Sequence, residues 1–400
     1  MRLYCTDEEF MVHRVPRAGV PFLVDSQAEL VEPANAYLYE ISVVRGRTRS
    51  GHTWRTYAKY LYEYFAFLEE NGLEWDKVER SCIVAWRNSM VQRGNQTTTI
   101  NHRLRGVARF YEWAVGRQLM GELPYDREEV QVYKRYSRHG EIDASGGLVQ
   151  ANELTLRAPR KLPRFLLWEE ATRFVSHLRP HRNELIGSLM LLSGLRLEEA
   201  ARLDMRVLPN PSLHSEGRLL RMNLDPDRTP TKGAVERVVY VPYDLGRQLA
   251  QYVTFARGPL LKEYRKRVGE TQKSTSVFLN KHGEPVSLAG IQNEFQRASR
   301  ESGVKATPHV LRHTYATYEF LRLSEREGRD RALLWVKDRL GHSSIQTTEI
   351  YLHAADLVSH EETDDYHAEI YAILRDGVDD GRKARVSKTK AGRETAPHRS

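Results

Sequence analysis

"HVLRHTYATY", residues 309–318, sets Leu311, Tyr315 and Tyr318 at steps of four and three, the period of a helix that buries one stripe. His309 and Arg312 lie one turn apart and share another face of the same helix. A solvated polar face and half of an active site are the two readings of those residues, and the flanking sequence decides between them. Upstream, "NELIGSLMLLSGLRLEEAARL" (183–203) reads as a buried helix, a break at Gly194 and a second helix from about Leu197. Between the two stretches, "GRLLRMNL" and "VERVVYVP" are β-like runs flanking the turn "DPDRTPTKGA", which makes a hairpin in an otherwise helical domain. That domain opens at Pro163, with a helix from near Trp168. Near its end, "GHSSIQTTEIYLH" offers Ser343 or Ser344 as the N-cap of a short helix carrying Tyr351.

Residues 35–120 form a second helical region. Tyr57, Leu61, Tyr64 or Phe65, and Leu68 repeat at helical spacing before Gly72, and Ile100, Leu104, Val107 and Tyr111 do so between the opening threonines and Gly116. Residues 1–34 mix prolines, glycines and charges without a period and read as an extension of unsettled order. Residues 121–162 read as a polar linker.

The chain has 400 residues, enough for two or three domains, and a formal charge of +8. Seven Lys or Arg against one Glu in residues 381–400 supply +6 of that charge, so much of the basicity is a tail of disordered composition. A more informative patch lies at 81–120, where Arg87, Arg93, Arg103, Arg105, Arg109 and Arg117 accompany a single acid, Glu112. Helical periodicity gathers several of them on one side, as contact with nucleic-acid phosphates requires. No long apolar run and no apolar leader is present, and the two cysteines, Cys5 and Cys82, lie far apart. The expectation is an intracellular protein without a disulfide framework, a cysteine zinc site or membrane contact.

Phosphate-loop and zinc-protease signatures are missing, and the acids at 364, 365, 379 and 380 read as a solvated face. What remains is basic residues at element boundaries. Arg196 sits where one helix stops and another begins, with Glu199 one turn on to hold its guanidinium. Lys232 lies in the hairpin turn, and His342 and Tyr351 come from one segment. Singly, each is an ordinary surface or packing residue.

Together and in this order they resemble the tyrosine recombinases, also called phage integrases. The family's pattern of G-L-R-x-x-E, a hairpin Lys, H-x-L-R-H-T, L-G-H-x-[ST] and a Tyr nine residues after that His is met by "GLRLEE", "TKG", "HVLRHT", "LGHSS" and Tyr351. The resemblance is strong over 163–354 and moderate over 35–120. It implies a mainly α fold with a small antiparallel β-sheet, arranged as a two-domain C-shaped DNA clamp. The expected parts are an N-terminal extension (1–34), a helical, SAM-like core-binding domain (35–120), a linker (121–162), a catalytic domain (163–360), a helix (361–378) packing on a neighbouring protomer, and a basic tail (379–400).

The implied activity is site-specific recombination through a 3′-phosphotyrosine, for integration, excision or transposition of a mobile element. Type IB topoisomerase-like relaxation and a catalytically silent DNA-binding protein are the alternatives. Tyr351 is the expected nucleophile. A free phenol, with a pKa near 10, needs assistance, and two arginine forks, Arg196 and Arg312, suit the charge that develops on the non-bridging oxygens. Lys232 fits as general acid to the leaving oxygen. The resemblance implies that His309 assists proton transfer, that His342 hydrogen-bonds the phosphate and that Glu199 orients the arginines. His313 falls outside this set on chemical grounds and reads as structural. Arg87, Arg93, Arg103, Arg105, Arg109, Lys134 and Arg135 are the expected DNA contacts, positioning rather than specifying. No metal or cofactor is expected. The expected partners are double-stranded DNA, three further protomers in a tetramer and a directionality or accessory protein, in a cytoplasmic, nucleoid-associated setting.

Overall fold

The computed structural model describes residues 1–45, 51–132, 147–157, 164–229, 231, 235–269, 274–342, 348 and 351. Lys134, Arg135, Lys232, the helix expected at 361–378 and the tail lie outside the described residues. The chain divides into two compact units, Met1–Arg160 and Lys161–Ser400.

In the first unit, β1 (Arg2–Cys5) pairs antiparallel with β4 (Pro21–Val24), and the short β2 (Met11–Val12) and β3 (Val15–Pro16) pair between them. Four helices follow: α1 (Glu32–Tyr39), α2 (Gly51–Glu70), α3 (Arg80–Gln92) and α4 (Thr97–Gly116). The start of the chain is thus part of this unit. Leu23 is fully buried with the helices, and the Asn35 carboxamide accepts from the Leu23 N–H (2.7 Å) and donates to its carbonyl (2.9 Å), tying β4 to α1. β1 has no buried residue and β4 only Pro21 and Leu23, too short an alternation to show as a period. The stripes of α2 and α4 meet as read, with Leu61, Tyr64, Leu68, Ile100, Leu104 and Tyr111 buried and the Tyr64 and Tyr111 hydroxyls 2.6 Å apart. Within the expected linker, β5 (Arg127–Val132) and β6 (Gly147–Asn152) form an antiparallel pair.

The second unit begins with α5 (Trp168–Ser176), α6 (His181–Ser193) and α7 (Leu197–Ala201). The hairpin pairs β7 (Leu219–Leu224) with β8 (Arg237–Pro242), Leu220 facing Val241. Then come α8 (Tyr243–Tyr252), α9 (Gly258–Val268), α10 (Leu288–Ser302), α11 (Pro308–Glu327) and α12 (Arg329–Leu340). Among the described residues no helix is long and apolar enough to cross a membrane.

α11, which carries 309–318, starts with Pro308 in its first turn and with the Thr307 hydroxyl accepting from the Val310 N–H (3.3 Å). Leu311, Tyr315 and Tyr318 are buried as the stripe predicts. So are Arg312, Thr314, Thr317 and Glu319, because α11 packs between α6 and α12 and is enclosed nearly all round. Arg312 therefore faces protein, where a buried charge needs partners, and this excludes the solvated-face reading for it; His309, in the first turn, is exposed.

Candidate active site

Gly194 ends α6 in the left-handed region, with φ at +66°. A Cβ there would stand 2.4 Å from Tyr315 Cδ1, so both backbone and space require glycine. The turn it makes delivers Arg196, whose Nη1 lies 3.0 Å from Glu199 Oε1 while its N–H donates to Glu199 Oε2 at 2.8 Å. Glu199 thereby caps α7 and grips the guanidinium at once. Arg196 keeps a side-chain exposure of 25%, against 1% for Glu199.

Glu199 has a second partner that sequence reasoning missed, Arg237 at the start of β8, with Nη2 at 2.5 Å from Oε2. Burial pushes the Glu199 carboxyl up, but the Arg237 and Arg196 guanidinium groups prevail and hold it below the ordinary carboxylate range. The sequence did carry a signal. In "RVVYVP" the positions 237, 239 and 241 alternate onto the buried face, and a charge on that face needs a partner.

Arg312 is 2% exposed and donates to the backbone carbonyls of Gly194 and, at 2.5 Å, Leu340. Burial and the nearby Arg196 charge bring its pKa down to about 9, so it stays protonated at neutral pH. The Tyr351 hydroxyl lies 2.8 Å from His313 Nδ1, and Tyr351 is 1% exposed. Burial pushes the Tyr351 phenol up to about 12 against the pull of Arg312 and Arg196. Burial, with His309 and Arg312 beside it, pushes the His313 imidazole down to about 3. Both groups are therefore neutral, and the imidazole tautomer decides which of them donates in this hydrogen bond. His313, read from sequence as structural, is the residue in contact with the nucleophile candidate. Its place four residues after His309 was the available clue, and the two rings meet edge to face with centroids 4.2 Å apart.

His342 Nδ1 lies 3.0 Å from the Thr348 hydroxyl, and burial with the Arg312 and Arg196 charges lowers its imidazole to about 3. A groove of about 1130 Å³ between β8 and α12 is lined by Arg196, Arg237, Tyr240, Trp335 and His342, among others. Five of the expected site residues, Arg196, His309, Arg312, His342 and Tyr351, thus gather with Glu199 from α6–α7, α11 and the segment after α12. Among the described residues there is no cluster of three or more His, Cys, Asp or Glu able to hold a metal.

The expected DNA-contacting arginines of the first unit have mixed surroundings. Arg93 and Arg103 reach Glu63 of α2 (3.7 and 3.1 Å), and Arg87 donates to the Leu154 carbonyl. Arg109 hydrogen-bonds and stacks on Tyr57, while Arg105 points to solvent. The single acid counted in residues 81–120 understates the pairing, because Glu63 and Glu40, the latter on Arg117, come from other elements.

Residues 164–357 match the Phage integrase family and residues 35–118 the N-terminal SAM-like domain of phage integrases. The chain is 25% identical over 329 residues to tyrosine recombinase XerD of Oceanobacillus iheyensis, covering 80% of this chain and 94% of that one. It is 25% identical over 369 residues to transposase A from transposon Tn554 of Staphylococcus aureus, covering 86% and 94%. Among solved structures, the XerH recombinase in a post-cleavage complex with difH DNA superposes with a TM-score of 0.53 at 17% identity, covering 83% of this chain and 87% of that one. The Tn1549 transposon integrase with circular-intermediate DNA gives 0.53 at 17%, covering 80% and 94%. At such identities the structural likeness speaks for the fold.

Proposed function

We propose, from the premise that the chain belongs to the phage integrase family of tyrosine recombinases, that it cuts and rejoins DNA at specific sites with Tyr351 as nucleophile. The observation that carries this reading is the charge balance beside Tyr351. Three guanidinium groups gather around one carboxylate: Arg196 and Arg237 bond to Glu199, and Arg312 stands near it while bonding to backbone carbonyls. The surplus positive charge, partly open to the groove through Arg196, suits a phosphodiester.

In the reaction the Tyr351 oxygen bonds to phosphorus, the bond to the 5′ oxygen breaks, and a 3′-phosphotyrosine holds the strand for rejoining. Arg196 and Arg312 stabilise the charge on the non-bridging oxygens, and His342 hydrogen-bonds the phosphate. Lys232 gives the leaving oxygen its proton, and His309 assists the transfer of the phenol proton away from Tyr351 as its oxygen bonds to phosphorus. The bond energy is conserved, so no nucleotide is hydrolysed. In the DNA-free protein the nucleophile is neutral and enclosed against His313, so cleavage requires that DNA binding bring Tyr351 out to the groove. The substrate is duplex DNA, with Arg105, Lys134 and Arg135 meeting its phosphates, and four protomers act on two sites in the cytoplasm with any accessory protein the element supplies. Integration, excision and transposition of a mobile element share this chemistry.

The test selects binding sites from a randomised duplex pool with Tyr351→Phe protein, then offers the unsubstituted protein paired duplexes carrying the selected site. Four-way junctions that require Tyr351 are expected. Relaxation of supercoiled plasmid without junctions would point to a type IB topoisomerase. Binding without either would mark a silent accessory protein.

A further inference from the structure

Three successive carbonyls at the end of α12 each accept from a different arginine. Arg339 O receives Arg237 Nε (3.0 Å), Leu340 O receives Arg312 Nη2 (2.5 Å), and Gly341 O receives Arg196 Nη2 (3.3 Å). The last carbonyls of a helix lack partners within it and carry the negative end of its dipole, so a helix terminus gathers cations. Gly341 closes the helix in the left-handed region, and the His342 N–H turns back to the Lys337 carbonyl (3.0 Å). His342 is thus placed by the same turn that the arginines hold.

Two of the three arginines have a place in the chemistry above, and Arg237 does not. Its side chain is 4% exposed. One arm holds the Glu199 oxygen that also accepts the Arg196 N–H, and the other holds the Arg339 carbonyl. A Cβ on Gly341 would lie 3.0 Å from Arg237 Cδ, so the guanidinium stem packs directly on the turn.

We infer that Arg237 is a positioning residue: it clamps Glu199, and through it Arg196, to the α12 terminus, fixing Arg196 and His342 relative to one another before the phosphate arrives. The inference rests on the proposed phosphodiester chemistry of this site. A planar fork spans the carboxylate and the carbonyl together, which a single ammonium on a flexible stem does not. Without the clamp, Glu199 keeps only Arg196, the Arg339 carbonyl loses its partner, and Arg196 drifts from its place opposite His342.

The experiment measures single-turnover cleavage by full-length Arg237→Gln and Arg237→Lys proteins on nicked duplexes of a selected site, with a phosphodiester or a neutral methylphosphonate at the scissile position. For both variants we expect DNA affinity within about twofold of the unsubstituted protein and cleavage at saturating DNA slower by about tenfold or more. The loss should shrink by about tenfold on the methylphosphonate, where less charge must be met by Arg196. A general loss of folded protein would depress both substrates equally, and the lysine variant, which keeps the buried charge, covers the case in which the glutamine variant does not fold. Cleavage within about twofold of the unsubstituted protein, or an equal loss on both substrates, overturns the inference. If the unsubstituted protein forms no adduct at Tyr351, the reading of the site fails instead.

Discussion

Gly194→Ala probes the link between fold and site at a single atom. The residue sits at φ +66°, where an L side chain costs about 1–2 kcal/mol. The added methyl would lie 2.4 and 2.6 Å from two ring carbons of Tyr315 and 3.0 Å from Leu340 Cδ2, all in buried side chains. Forcing a methyl into such packing costs about 1–3 kcal/mol. Together the second unit should lose about 2–5 kcal/mol, a fall of about 4–20 °C in its melting temperature. Because the Gly194 carbonyl accepts from Arg312, cleavage should fall as well. Hydrogen exchange read peptide by peptide separates the units: amides of α6 and α11 should lose protection while those of α2 and α4 keep theirs. Gly116→Ala, where nothing lies within 4 Å, is the control and should stay within about 0.5 kcal/mol. A Gly194→Ala protein as stable as that control, with unchanged exchange in α6 and α11, would refute the reasoning.

Tyr351→Phe should abolish the covalent adduct yet cost only about 1 kcal/mol, since one hydrogen bond to His313 is lost; urea denaturation beside a trapping assay checks both. His313 and His342, lowered to about 3, stay neutral in the folded protein while the unfolded chain takes up protons below about pH 6.5. Their contribution is therefore whole above that pH and drains away as pH falls toward 3. Urea titrations should show a loss of about 2.5 kcal/mol between pH 7 and 5.5, roughly halved in His342→Gln. In the first unit, Gly106→Ala drives a methyl to 2.4 Å from Tyr60 Cδ2 and should cost about 1–3 kcal/mol, lowering exchange protection in α2 and α4 alone.

The sequence made legible what is periodic or local. The buried stripe of α11, the break at Gly194, the hairpin strands and the Arg196–Glu199 pair each follow from spacing within one segment. What it hid depends on residues distant in the chain. Arg237 meets Glu199 across 38 positions and His313 meets Tyr351 across 38, and only tertiary packing brings either pair together. The strands paired within residues 2–24 are two to four residues long, too short to show a period, so composition alone read them as irregular. Arg93, Arg103 and Arg117 looked unpaired because their acids, Glu63 in α2 and Glu40 just after α1, lie outside residues 81–120.

Recombination by this chain requires that Tyr351 become covalently joined to DNA. A pool of duplexes, nicked beside a randomised segment so that a cleaved end escapes, should trap the protein as a denaturation-resistant adduct. Mass spectrometry of the digested adduct should then find the nucleotide on Tyr351, and Tyr351→Phe protein should give none. A nucleotide on any other residue, or an adduct that survives Tyr351→Phe, would contradict the account.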